Sequence, residues 1–76
     1  MDTSASRKEP SLLDVVALLA DRPADALTRG QVGTVVETLP DDAVLVEFSD
    51  DQGRPYAIAS CGRSDLLVLY YEPQAA

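Results

Sequence analysis

The chain has 76 residues, with 6 basic and 13 acidic side chains and no histidine, so its formal net charge is −7. That length holds one small domain, and a hydrophobic fraction of 46% is too high for a disordered chain of this charge. With one cysteine, no histidine and no apolar run near the roughly 20 residues of a spanning helix, neither zinc, iron–sulfur or haem ligation, His-dependent catalysis nor a membrane helix is expected. The expectation is accordingly no cofactor, no metal and no catalytic residue.

Residues 1–11 are polar, and Arg7 and Lys8 balance Asp2 and Glu9. Lacking an apolar core of the signal-peptide kind, they read as a disordered leader. The −7 then belongs to the folded part. The lone Cys61 cannot form an intramolecular disulfide, which points to a reducing cytoplasm.

The next apolar stretch supports two readings. Ser11 with Asp14, and apolar pairs at 12/13, 15/16 and 18/19, suit a helix. The β-branched pair Val15-Val16 and the following Arg22-Pro23 suit a strand. Residues 21–30 form a loop ending in Gly30, and residues 31–39 are strand-like. Pro40-Asp41-Asp42 is a turn. Residues 43–48 form a strand with Val44, Val46 and Phe48 on one face. Residues 49–54 are a hairpin loop, with Gly53 where a positive φ is wanted. Residues 55–60 are a strand, with proline tolerated at its start. Residues 61–65 connect to a last strand, residues 66–72, which Pro73 ends. Residues 73–76 are a frayed tail. Four short strands about ten residues apart predict a small antiparallel barrel. Such a barrel needs a fifth strand, and only residues 13–19 remain to supply it. The predicted fold is therefore all-β: a small five-stranded antiparallel barrel.

Gly30 reads as a positive-φ turn and Gly33 as a bulge or a close backbone approach. Together with Gly53 they are structural glycines, since no helix start or lysine follows to make a phosphate loop. Asp41-Asp42 and Asp50-Asp51 read as solvated turns. Clustered with Glu37, Glu47 and Asp65, they could also form an acidic patch for a basic partner. Arg54 and Arg63 are expected in ion pairs, and Cys61 as a small buried side chain. The first and last strands are apolar on both faces, and a small barrel has one interior. The leftover residues predict a partner surface or homodimer seam centred on Val16, Leu18, Val68 and Tyr70.

Residues 13–19, then Arg29-Gly30-Gln31-Val32-Gly33-Thr34-Val35-Val36-Glu37, Val46-Glu47-Phe48 and Gly53-Arg54-Pro55-Tyr56-Ala57, resemble the bacterial domain-of-unknown-function family 4926. The resemblance covers about residues 12–72 and implies an SH3-like barrel with no established activity. Its members' association with toxin–antitoxin-type genes implies an antitoxin- or immunity-like role. A wider similarity joins Gly30-Gln31-Val32-Gly33-Thr34-Val35 to the KOW motif, whose modules contact RNA or protein; RNA-binding examples surround this core with Lys and Arg, where here only Arg29 stands near. The expected function is a non-enzymatic, acidic, cytoplasmic protein-interaction module, possible homodimerisation included, with a KOW-like nucleic-acid or ribonucleoprotein-binding module as the alternative. A charge of −7 repels nucleic-acid phosphates and favours basic or toxin-like protein partners.

Overall fold

The structure, a computed structural model, describes residues 9–70. Residues 1–8 of the expected leader, Tyr71, Glu72 and the expected tail 73–76 lie outside the described residues. The strands are β1 (Val15–Leu18), β2 (Val32–Leu39), β3 (Ala43–Ser49), β4 (Pro55–Gly62) and β5 (Leu66–Val68). Single 3₁₀ turns occupy Pro23–Asp25 and Arg63–Asp65, and no α-helix occurs among the described residues. All pairings are antiparallel, in the order β4-β3-β2-β1-β5.

Local chemistry explains each reversal. Asp41 and Asp42 connect β2 to β3 with φ of 64° and 61°. Aspartate enters this left-handed region more readily than most residues, and tight hairpins with right-handed twist require it. Between β3 and β4, the Asp50 side chain accepts the Gln52 and Arg54 N–H groups, both at 2.9 Å. Gly53 supplies a φ of +81° there. Gly30, with φ +93°, returns the long β1–β2 connection to the sheet by donating its N–H to the Leu18 carbonyl at 2.8 Å.

The stretch before β1 settles the helix-or-strand question. Asp14 does accept the Ser11 N–H on its side chain (2.8 Å), but this closes a turn, not a helix start. Leu13 follows at a φ of 71° and donates to the Val35 carbonyl, while the Val35 N–H donates to the Asp14 carbonyl. Two residues thus face one, a bulge that leads the chain into β1 as a strand. β1 is shorter than the expected residues 13–19, and of the described residues 66–70 of the expected last strand β5 covers Leu66–Val68. β4 runs two residues further than expected because Cys61 and Gly62 pair with Val44 and Ala43.

The five strands do not close into a barrel by hydrogen bonding; β4 and β5 remain the two edges. The sheet is nevertheless strongly curled. Five strands laid flat would separate their edges by about 19 Å, at ~4.8 Å per neighbour. Yet only Arg63–Asp65 joins β4 to β5, and a 3₁₀ turn rises just ~2 Å per residue. The Leu19 N–H, bonded to the Asp65 carbonyl at 2.9 Å, ties β1 to this crossing.

The interior follows from the register. Val68, Val16, Gly33, Phe48 and Ala57 are successive cross-strand partners in one row. Phe48 is fully buried, and the missing side chain of Gly33 beside it leaves room for its ring. Because partners share a face, the inward ring of Phe48 sends Val16 and Val68 inward too. Leu18 and Leu66 follow as partners two residues along. Val16 (0% exposed), Leu18 (2%) and Val68 (7%) are therefore core residues, not the partner surface or seam expected of them. Leu27 of the long connection, Val35, Val44, Val46, Ala59 and Cys61 complete the core.

Candidate functional site

With those residues inside, the opposite parity points outward. Leu67, Ala17 and Val32 form one outer row, and Val15, Thr34, Glu47 and Ile58 form the next. Val32, Leu67 and Ile58 are exposed, Ile58 most of all at 58%. Leu19 and Tyr56 add exposed apolar area, and the Tyr56 hydroxyl oxygen accepts a hydrogen bond from the Gln31 side-chain Nε2 at 2.7 Å. Tyr70 is the one residue of the expected partner surface that is exposed. The chain leaves the sheet after Val68, held by the Leu69 N–H on the Val15 carbonyl (2.8 Å), so Tyr70 escapes the parity that buries its neighbours.

Among the described residues no charged or polar side chain is buried, so charge lies on and around this face rather than beneath it. Asp41-Asp42 and Asp50-Asp51 sit at opposite ends of β3, which at ~3.3 Å per residue puts about 20 Å between them. The acidic residues therefore do not gather into one patch. Asp42 pairs with Arg63 at 3.1 Å, and the Arg63 Nε donates to the Pro10 carbonyl at 2.9 Å. Arg22 pairs with Asp25 at 2.8 Å and also donates from Nη2 to the Ser60 carbonyl at 2.9 Å. Arg54 gives its backbone N–H to Asp50. Glu47 stands beside Ile58 on the outer face, and the Asp65 carboxylate lies beside Gly62 at the end of β4.

The glycines divide by role. Gly30 and Gly53 have open space where a side chain would stand, and serve through their positive φ. Gly33 serves by close approach to β3. The KOW-like stretch thus places Gly33 in the core row. Its neighbouring cation, Arg29, donates its backbone N–H to Asp21 at 2.8 Å.

Cys61 is buried, its Sγ 3.9 Å from the Ala59 carbonyl. Burial pushes its thiol up, outweighing the pull of Arg22 downward, while Asp25 and Asp65 act in the same direction as burial. The protonated thiol is a poor nucleophile. The same shift links folding to pH. The unfolded chain ionises first, near the ordinary thiol value of about 8.5, whereas the folded chain keeps its proton. Stability is thus fully present below that pH and declines above it, at no more than about 1.4 kcal/mol per pH unit. Urea titrations from pH 7 to 9.5 should show this decline in the native sequence and lose most of it in Cys61→Ala. An equal decline in both would mean that Cys61 is not its source.

Among the described residues, no group of three or more His, Cys, Asp or Glu side chains is placed to hold a metal ion. No helix among them is long and apolar enough to cross a membrane. The outer-face residues Tyr56 and Ile58 escape sequence reasoning, although one signal was available: residues 55–62 carry no charge in a chain one quarter charged.

A family model described as Domain of unknown function (DUF4926) matches residues 12–68, from the turn before β1 to the end of β5. No curated protein and no solved structure matches the chain.

Proposed function

Since this chain belongs to the family described as Domain of unknown function (DUF4926), whose description assigns no activity, we propose from its own surface that it is a non-enzymatic, acidic protein-interaction module. The observation that carries the reading is the set of apolar side chains left outside a completed core: Val32, Ile58 and Leu67 on the sheet's outer side, and the exposed Tyr70 after β5. Exposed apolar residues grouped on one face within a charged surface mark protein contacts. The net charge of −7 selects basic partners, both by steering and by repelling acidic ones. In its specific form the module neutralises a basic effector in the cytoplasm, as an antitoxin or immunity protein does. Nucleic acid suits the surface less well, because counterion release needs clustered Lys and Arg and Arg29 is the single cation between residues 28 and 36.

Affinity capture from native lysate tests the reading. Wild type should retain discrete protein partners at low salt, while Leu67→Asp and Tyr70→Asp, each shown by circular dichroism to be folded, should lose them at least tenfold. Equal recovery by all three proteins would remove the outer face from the function.

A further inference from the structure

The sheet has an open edge at β4, and the backbone there has a definite direction. Arg22 donates to the Ser60 carbonyl from outside the sheet, so that carbonyl points away from β3. In an antiparallel strand the N–H and C=O of one residue share a side, and successive residues alternate. The register of residues 57–62 against β3 is unbroken. Ala57, Ala59 and Cys61 therefore face the β3 ladder, and Ile58 and Ser60 face the open side. The Arg63 N–H, of the same parity as Cys61, agrees: it bonds the Asp42 carbonyl next to β3 at 3.0 Å.

Natural edges are guarded by charges, prolines, bulges or covering loops. β4 has such guards only at its ends. Pro55 and a register shift protect the start, and Arg22 covers one carbonyl near the finish. Between them, the Ile58 N–H and carbonyl and the Ser60 N–H offer uncharged backbone flanked by the exposed Ile58 side chain. Carboxylates stand across from this window and at both ends of the strand: Glu47 across from Ile58, Asp65 beside Gly62, and Asp50 and Asp51 in the turn before β4. Of the cations near it, Arg22 and Arg63 are committed to Asp25 and Asp42, and Arg54 stands before the strand beside Asp50 and Asp51. A second copy of the chain would bring the same carboxylates together and set −7 against −7.

We propose that the β4 edge at Ala57–Ser60 takes up an extended segment of a basic protein partner, with apolar and Lys or Arg residues alternating, as a sixth strand. The ladder hydrogen bonds come from the Ile58 N–H and carbonyl and the Ser60 N–H, the apolar contact from the Ile58 side chain, and the charge selection from Glu47 and the carboxylates at the two ends of β4. This inference rests on the interaction-module reading and names its partner's chemistry.

The test uses the full-length ¹⁵N-labelled protein with two synthetic octapeptides, one alternating Lys and Val, the other Glu and Val. On saturation with the Lys–Val peptide, hydrogen exchange at the Ile58 and Ser60 amides should slow at least tenfold, and added salt should weaken binding. The Glu–Val peptide should leave both amides unchanged. Ile58→Pro removes an N–H that β3 does not use, so the fold should persist while peptide affinity falls at least tenfold; Ile58→Ala, which keeps the N–H, should lose less. Four results would overturn the proposal: no slowing at these amides in the wild-type protein, equal slowing by the acidic peptide, equal affinity of Ile58→Pro, or slowing that grows with protein concentration alone. The wild-type exchange readout holds even if Ile58→Pro fails to fold. Should the edge fail while lysate capture still depends on Leu67, the interaction module stands without this route to its partner.

Discussion

Phe48→Ala is expected to remove most of the protein's stability at 25 °C and bring it to the edge of unfolding. Phe48 is the largest fully buried side chain and the only phenylalanine in the chain. Its removal forfeits the transfer energy of the ring and leaves a cavity, together about 3–5 kcal/mol. A domain of this size has a total stability near the low end of about 5–15 kcal/mol. Collapse into the cavity is restricted, because Phe48 stands opposite Gly33, which has no side chain to move in, and Ala57, which has only a methyl group. Urea denaturation followed by tyrosine fluorescence and far-ultraviolet circular dichroism should find the midpoint moved close to zero urea. A variant with a cooperative transition within about 1 kcal/mol of wild type would mean that the Phe48 ring does not organise the core.

Gly33→Ala attacks the same row from the other side. A Cβ at this position would stand 2.6 Å from Val46 Cγ1, 2.8 Å from the Glu47 carbonyl oxygen and 3.0 Å from Phe48 Cδ1. The carbonyl belongs to the β2–β3 pairing and cannot retreat without breaking it. Val46 and Phe48 are fully buried and have nowhere to turn. Overpacking of this kind costs about 1–3 kcal/mol and occasionally more, and the backbone contact places this case at the upper end. Gly30→Ala makes the contrast. It meets no atom within 4 Å, so its cost is only the left-handed backbone of a residue with a Cβ, about 1–2 kcal/mol. The steric origin of the larger effect is checked by a double-mutant cycle. Gly33→Ala and Val46→Ala should together cost less than the sum of the two, because removing Cγ1 relieves part of the overlap. Additive costs, or a Gly33→Ala variant as stable as Gly30→Ala, would refute the close-approach account.

The two substitutions bear on function through one mechanism. The row Val68–Val16–Gly33–Phe48–Ala57 fixes which parity of each strand is interior, and hence which side chains remain for a partner. A change that loosens this row removes the outer face and the β4 edge together, whereas Leu67→Asp and Ile58→Pro address each separately.

Much of the architecture was legible in the amino-acid sequence alone. β-Branched runs broken by Pro40-Asp41-Asp42 and Asp50-Asp51-Gln52-Gly53 have only one economical arrangement, consecutive antiparallel strands, because such short connections cannot cross a sheet. Strand alternation placed Val44, Val46 and Phe48 on a common face, and they are buried together. The first and last strands were different. Val15-Val16-Ala17-Leu18 and Leu66-Leu67-Val68 are apolar at both parities, so a period of two identifies two faces without saying which is inside. That choice was made by contacts remote in sequence: the bulge of Leu13 and Asp14 against Val35, and the register that aligns Val16 and Val68 with Gly33 and Phe48. It turned Val16, Leu18 and Val68 inward, left Leu67 and Tyr70 outside, and exposed β4 as an edge whose neighbours are known only once the strand order is known. Sequence periodicity is a local property and specifies the strands. The inward face, the open edge and the separation of the acidic turns are properties of pairing between distant residues, and only the folded sheet decides them.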